Sequence, residues 1–381
     1  MSTHTAATAP TPVPVVVIGA GGMGRAWIST VLRSDAARLV GVADLLEGAA
    51  ERAVSEVVPE EQQAGIVTGT DALEVARRSG AEAVIDVTIP AAHHAVTADA
   101  LHAGFPVLGE KPCAATLAEA VSLAGHAEAT GQLFMVSQSR RNNPHLHEAR
   151  RLADELGGAG IVDTRFYKAP RFGGFRDEMD HPLIVDMAIH AFDAGRVLVD
   201  GNPLAVTAAS YNPSWSWYAG DTAATVTITY DSGTVHTFAG SWAAPGAETS
   251  WNGEWRISCE LGSVLWDGET VPAAHRAEKE AAEVVLGRTP APDARWELAD
   301  SLARFCAALR GGPMPDSEVH GNVWTQAIVE AAVRAADTGT RVQLADLLEE
   351  ALAAARILDS EDGRSSALQS WKTGSAGLSI G

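Results

Sequence analysis

The chain has 381 residues, a formal net charge of −20, and 46% apolar against 20% charged residues. That length suits two domains better than one core. That acidity repels phosphate backbones and anionic bilayers, so neither nucleic acid nor a membrane surface is expected as a partner. No apolar run approaches the roughly eighteen residues of a membrane span. The small, polar, proline-containing start lacks the regions of a secretory signal, and 1–12 reads as a frayed tail on a cytoplasmic protein. The cysteines, Cys113, Cys259 and Cys306, are odd in number and far apart, which predicts reduced thiols and no disulfide. No metal site is expected, because His93-His94 and the pair His145 and His147 lack further ligands at metal-site spacing.

The predicted elements alternate through the first third. Val13 to Ile18 is a β-branched apolar run that predicts a fully buried strand ending in glycines. Helical patterning follows over Arg25 to Leu32, then strands over Arg38 to Ala43 and Ala83 to Ile89. Asp71 with Glu74, and Thr116 with Glu119, are capping-box pairs that open helices ending near Gly80 and Gly131. Ala91 to Ala103 predicts a helix, and Phe105 to Leu108 and Leu133 to Val136 two more strands. This alternation predicts a doubly wound parallel sheet, a Rossmann domain over 13–144.

The rhythm changes after Pro144. A helix over His145 to Leu156 and a strand over Ile161 to Tyr167 precede a loop with glycines and arginines, then a helix over Pro182 to Val199. Strands follow: Thr225 to Tyr230 and Thr234 to Phe238 flank an Asp231-Ser232-Gly233 turn, and Trp255 to Glu260 and Val264 to Trp266 flank Gly262. Alanine-rich helices come last, over Arg295 to Arg310, Val319 to Asp337 and Leu344 to Ile357. The fold class is therefore α/β, a Rossmann domain plus an α+β domain with an antiparallel sheet over 145–360. The Gly/Ser-rich end, 361–381, is expected to be a flexible tail.

Gly19-Ala20-Gly21-Gly22-Met23-Gly24 is a GxGxxG sequence that follows a buried strand and opens a helix, the context in which it binds a dinucleotide. Gly21 lets the backbone approach the pyrophosphate, Gly24 lets helix pack on strand, and the helix N-terminus supplies N–H groups and a positive dipole end. Asp44 ends the second strand twenty positions after Gly24, where a carboxylate accepts from the adenosine ribose hydroxyls. With Leu45 and Leu46 beside it and no cation for a 2′-phosphate, NAD is favoured, and NADP stays open as an alternative.

A strand also runs into Glu110-Lys111-Pro112, at the sheet edge where ligands of such folds sit. Asp186 and His190 stand four apart on a predicted helix with Asp193 three further on, so a carboxylate can fix or charge an imidazole that exchanges the proton of a carbinol. With Thr88, Pro90 and His94, and with Arg141 and Pro144 in RRNNP, these motifs make residues 13 to 345 resemble the Gfo/Idh/MocA family of glucose–fructose oxidoreductase, inositol dehydrogenase and rhizopine catabolism proteins. Two departures stand out: Asp180-His181-Pro182-Leu183 where the family often has paired glycines, and Ala91 where it often has Asn.

The resemblance implies a large open sheet in the second domain, a homodimer or homotetramer formed through it, and a sugar, inositol or related polyol as substrate. It implies Lys111, Asp186 and His190 as the catalytic set. Gly19, Gly21, Gly22, Met23, Gly24, Asp44, Thr88, Pro90, His94, Glu110 and Lys111 are implied around the cofactor. In this reading His190 is the acid/base, Lys111 lends positive charge to the developing alkoxide, and Asp186 binds a neighbouring hydroxyl or orients the imidazole. Arg171 and Arg176 are candidates for substrate hydroxyls or a carboxylate. The tryptophans of the second half suit packing better than sugar stacking, with one or two near Tyr211 to Tyr218 as candidates for the pocket edge. Three other readings stay open: a glycoside-cleaving enzyme using transient oxidation, a non-catalytic NAD-binding sensor, and an imine or biliverdin-type reductase.

Overall fold

The computed structural model describes residues 11–277 and 284–378. The chain forms two units. The first comprises 11–115, Leu123–Ser137 and Leu298–Val319, and the second takes the other described residues. Apart from Thr11 and Pro12, the expected N-terminal tail lies outside the described residues.

The first unit is built on β1 (Val13–Ile18), β2 (Ala37–Ala43), β3 (Val67–Gly69), β4 (Ala83–Asp86), β5 (Val107–Glu110) and β6 (Phe134–Ser137), in the order β3-β2-β1-β4-β5-β6 and all parallel. Every residue of β1 and β4 is buried, as strands covered on both faces require. Chain direction across the sheet reverses between β1 and β4, whose ends pair Ile18 with Asp86. That switch opens a crevice at the carboxyl edge. Both capping boxes form: Asp71 accepts from the Glu74 amide at 2.9 Å, and Thr116 and Glu119 bond reciprocally at 3.0 and 3.2 Å. β4 stops at Asp86, short of Ile89, because the Asp86 carboxylate turns the chain by accepting from the Thr88 amide.

Three segments change the expected domain plan: 116–122 and 138–144 fall in the second unit, and 298–319 in the first. The helix Glu297–Leu309 sends Leu302, Phe305 and Cys306 into the core around Val15, Trp27 and Ile28. Residues 298–319 therefore belong with the first unit, not with the second domain to which their position in the chain assigned them. Amphipathic spacing fixes which face of that helix is buried, not the sheet it covers.

The second unit holds β7 (Ala159–Tyr167), β8 (Pro203–Tyr211), β9 (Ala223–Tyr230), β10 (Val235–Ser241), β11 (Glu254–Cys259), β12 (Gly262–Trp266), β13 (Ala273–Arg276), β14 (Val284–Leu286) and β15 (Val342–Gln343). Their order is β14-β13-β12-β11-β7-β10-β9-β8-β15, antiparallel except for the central β7–β10 pair. Val162, Phe166, Phe238, Ile257, Val264 and Trp266 alternate onto a buried face. The opposite face carries Ile161, Asp163, Thr207, Tyr211, Thr237, Arg256 and Leu265, which the strand registers place side by side. It is open to solvent, with Ile161, Tyr211 and Leu265 exposed. The end of the chain corrects another expectation. Beyond 361, Leu368, Trp371 and Leu378 are buried, and Arg356 donates to the Leu368 and Trp371 carbonyls at 3.0 and 2.6 Å. The three cysteines are free.

His236 is fully buried on β10, with Nε2 2.9 Å from the Thr164 hydroxyl and its ring stacked on Trp255. Burial holds its pKa down to about 3. The unfolded chain protonates this residue below about pH 6.5, while the native chain does not. Stability is therefore unaffected above that pH and falls as pH drops from there toward 3, by at most about 1.4 kcal/mol per unit from this group. Urea unfolding at neutral and mildly acid pH should show that slope, reduced by one proton in His236→Gln.

Candidate active site

The turn after β1 shows two kinds of glycine. A side chain at Gly24 would meet the Gly19 carbonyl oxygen at 2.0 Å, and one at Gly19 would meet the Val87 carbonyl oxygen at 2.6 Å with φ at +102°. Packing alone demands those two. Gly21 and Gly22 are exposed, and no protein atom lies within 4 Å of where their Cβ would stand. Nothing in the fold requires glycine there, whereas a pyrophosphate laid on the backbone would. The helix Gly22–Leu32 begins here with no side-chain cap and no acidic residue in its first turn, so its N–H groups and dipole face outward. Met23 lies half exposed on that turn. Asp44 Oδ2 accepts from the Ala20 amide at 2.7 Å and Oδ1 from the Leu46 amide at 2.9 Å, fixing the carboxylate beside the loop.

Two strands along, Asp86 and Glu110 end β4 and β5. Asp86 accepts from the Thr88 amide and hydroxyl and from the Thr97 hydroxyl, at 3.1, 2.7 and 2.9 Å. Glu110 accepts from the Trp27 indole at 2.8 Å and the Lys111 amide at 3.1 Å. Burial pushes both carboxyls above their ordinary range, and their hydrogen bonds pull them back. Pro90 opens the helix Pro90–His102. His94 lies beside His126 with ring centroids 6.1 Å apart, while His93, set aside in the sequence, bridges the Thr88 and Pro112 carbonyls.

In the second unit Asp186 sits on a π-helical stretch, Leu183–Ala188, that passes into the α-helix Ile189–Leu198 bearing His190. Such stretches concentrate at functional sites. Asp193 turns inward and accepts from Arg141 and from Thr325, both at 2.8 Å. That buried pair anchors the helix. Of the two arginine candidates, Arg176 donates to Asp186 at 2.6 Å, and Arg171 lies over the Trp217 ring at 3.9 Å. His181, in the segment that departs from the family pattern, bridges Ser210 and Asp337 at 3.1 and 3.0 Å.

His190 lines a small cleft with Arg140, Phe166, Met187 and Trp251. Arg141 carries the RRNNP motif, but it is its neighbour Arg140 that lines the cleft. Arg140 donates to the Trp251 carbonyl, and burial lowers its pKa to about 10 against the opposing charges of Glu297 and Asp186, so it stays cationic at neutral pH. An adjacent pair of arginines was the available signal, but which one faces the cleft is decided by helical phase. The tryptophans divide. Trp242, Trp255 and Trp266 are core residues, while Trp215 and Trp251 are exposed.

A family model described as an oxidoreductase family with an NAD-binding Rossmann fold, GFO_IDH_MocA, matches residues 13–138, and one for the GFO/IDH/MocA C-terminal domain matches 162–265. The chain belongs to the Gfo/Idh/MocA oxidoreductase family. This oxidoreductase is 28% identical over 348 residues to the uncharacterized protein y4oX of Sinorhizobium fredii, covering 87% of this chain and 96% of that one. It is 29% identical over 195 residues to inositol 2-dehydrogenase 1 of Saccharopolyspora erythraea, covering 50% of this chain and 56% of that one. Its fold matches an oxidoreductase from Agrobacterium radiobacter solved with NAD+, L-tartaric acid and magnesium, with a TM-score of 0.78, 18% identity, and coverage of 89% of this chain and all of that one. Its first domain binds NAD, and the open backbone at Gly21 and Gly22 fits that cofactor.

The two kinds of glycine separate experimentally. Gly24→Ala should cost about 2–4 kcal/mol of stability, because its Cβ collides with backbone. Gly21→Ala should cost less than about 1 kcal/mol yet weaken NAD at least about tenfold. Chemical unfolding and NAD titration check the two outcomes.

Proposed function

We propose that this oxidoreductase is an NAD-dependent dehydrogenase of a secondary hydroxyl, or the corresponding ketone, in a sugar, inositol or related polyol. The observation that carries the reading is the cleft in which His190 lies with a half-buried guanidinium and an exposed indole, in a chain whose other unit binds NAD. Inositol 2-dehydrogenase among its relatives supports the substrate class. Asp44, followed by two leucines and no cation, supports NAD over NADP.

NAD supplies the hydride acceptor when bound. His190 takes the hydroxyl proton as the carbonyl forms, and returns it in reduction. Lys111 places its ammonium against the developing alkoxide. Asp186, braced by Arg176, holds a neighbouring hydroxyl or the imidazole. Arg140 meets the substrate, and Trp251 offers a ring for the apolar face of a sugar. The open face of the nine-stranded sheet, with Ile161, Tyr211 and Leu265 exposed, joins copies of this chain.

Lys111→Ala and His190→Ala should each lower kcat by about a hundredfold or more while NAD affinity stays within about threefold. A panel of inositols, neutral sugars and sugar acids, assayed with NAD and NADP by nicotinamide absorbance, identifies the substrate. No reduction of either cofactor on any member would point to a sensor, and aglycone release without net reduced cofactor to a glycoside-cleaving enzyme. Ile161→Lys should lower the mass of the native protein measured by light scattering.

A further inference from the structure

His93 lies one turn into the helix Pro90–His102 and is 2% exposed. Its Nδ1 is 2.8 Å from the Pro112 carbonyl oxygen and its Nε2 is 3.0 Å from the Thr88 carbonyl oxygen. Carbonyl oxygens only accept. A neutral imidazole carries one N–H and would set a bare lone pair against one of them; an imidazolium satisfies both. The surroundings suit a cation. Asp86 at the end of β4 is a buried carboxyl group and Glu110 at the end of β5 a half-buried one, and both lie close enough to this ring to interact with it electrostatically. Lys111 is the other charged group on the turn.

The two carbonyls have a structural meaning. Thr88 closes the turn after β4 through its bonds to Asp86, and Pro112 follows Lys111. The residue before Lys111 is held as well, since Glu110 accepts from Trp27 and from the Lys111 amide. The backbone of Lys111 is thus pinned on one side by a carboxylate and on the other by the ring of His93. Thr97, one turn after His93, bonds to Asp86 and ties the same helix to β4.

We propose that His93 is a buried imidazolium that joins the ends of β4 and β5 and acts as the positioning residue for Lys111. The charge assignment stands on the two carbonyl contacts alone. The consequence for turnover rests on the proposed role of Lys111, so the test has two arms.

The first arm reads charge in the full-length NAD complex labelled with 15N-histidine. At about pH 7.5, one histidine should show both ring nitrogens protonated, and that signal should be missing from His93→Gln. A spectrum in which every buried histidine is a neutral tautomer overturns the assignment, and the wild-type protein alone gives that result if the variant does not fold. The second arm reads position. His93→Gln should lower kcat by about ten- to a hundredfold with NAD affinity within about twofold. The double variant with Lys111→Ala should be no slower than Lys111→Ala alone, because the two changes remove one function. Wild-type turnover in His93→Gln beside a crippled Lys111→Ala overturns the positioning role. Wild-type turnover in Lys111→Ala instead rejects the proposed catalysis, leaving the charge of His93 to the spectrum.

Discussion

The carboxyl edge of the parallel sheet depends on two carboxyl groups whose hydrogen bonds to the protein replace water. Asp86 is buried at the end of β4 and Glu110 half-buried at the end of β5, and each is satisfied by donors from a different part of the first unit: Thr88, Thr97, the Trp27 indole and the Lys111 amide. Desolvation opposes ionisation of both carboxyls, and these bonds work against that penalty. They bend the chain out of the sheet at Asp86 and present Lys111 at the edge where NAD-binding folds hold their ligand. The glycine loop obeys the complementary constraint. Gly19 and Gly24 are small because protein is in the way, and Gly21 and Gly22 leave backbone bare toward the crevice.

The second unit solves its own version of the problem. The helix that carries His190 is held from its buried side. Arg141 and Thr325 take Asp193, three residues after His190, and fix the helix from its buried side. A buried ion pair of this kind contributes more to a unique arrangement than to net stability. The π-helical stretch before it widens the helical register at Asp186, whose carboxylate meets Arg176. Arg140 and Trp251 complete the wall around His190 with a cation and an indole.

How far the sequence could be read depends on the range of the interaction involved. Local signals were decisive. The β-branched run at Val13, the capping boxes at Asp71 and Thr116, and the glycine loop all formed where their spacing placed them. Weakly alternating segments were not legible. The strand Pro203–Tyr211 carries alanine, serine and threonine between its apolar residues and has little period-two signal, and β13 and β14 are short pieces recruited by neighbours already paired. The Gly/Ser-rich end looked flexible by composition, yet Trp371 and Leu368 find a surface and Arg356 two carbonyls. The difference between His93 and His94 was equally hidden: adjacent residues point about 100° apart on a helix, and only the position of the neighbouring strand end says which one is used.

The sequence by itself determined the fold class, the family and the NAD-binding first domain, because periodicity, caps and motif spacing act over a few residues and survive without context. Tertiary structure decided the rest. It sent residues 298–319 back to the first unit, turned Arg140 and not Arg141 toward the cleft, and set His93 between two carbonyls. Each of these is a contact between segments far apart in the chain or a choice of side within one turn. Such outcomes follow from which surfaces pack together, and no local pattern encodes that.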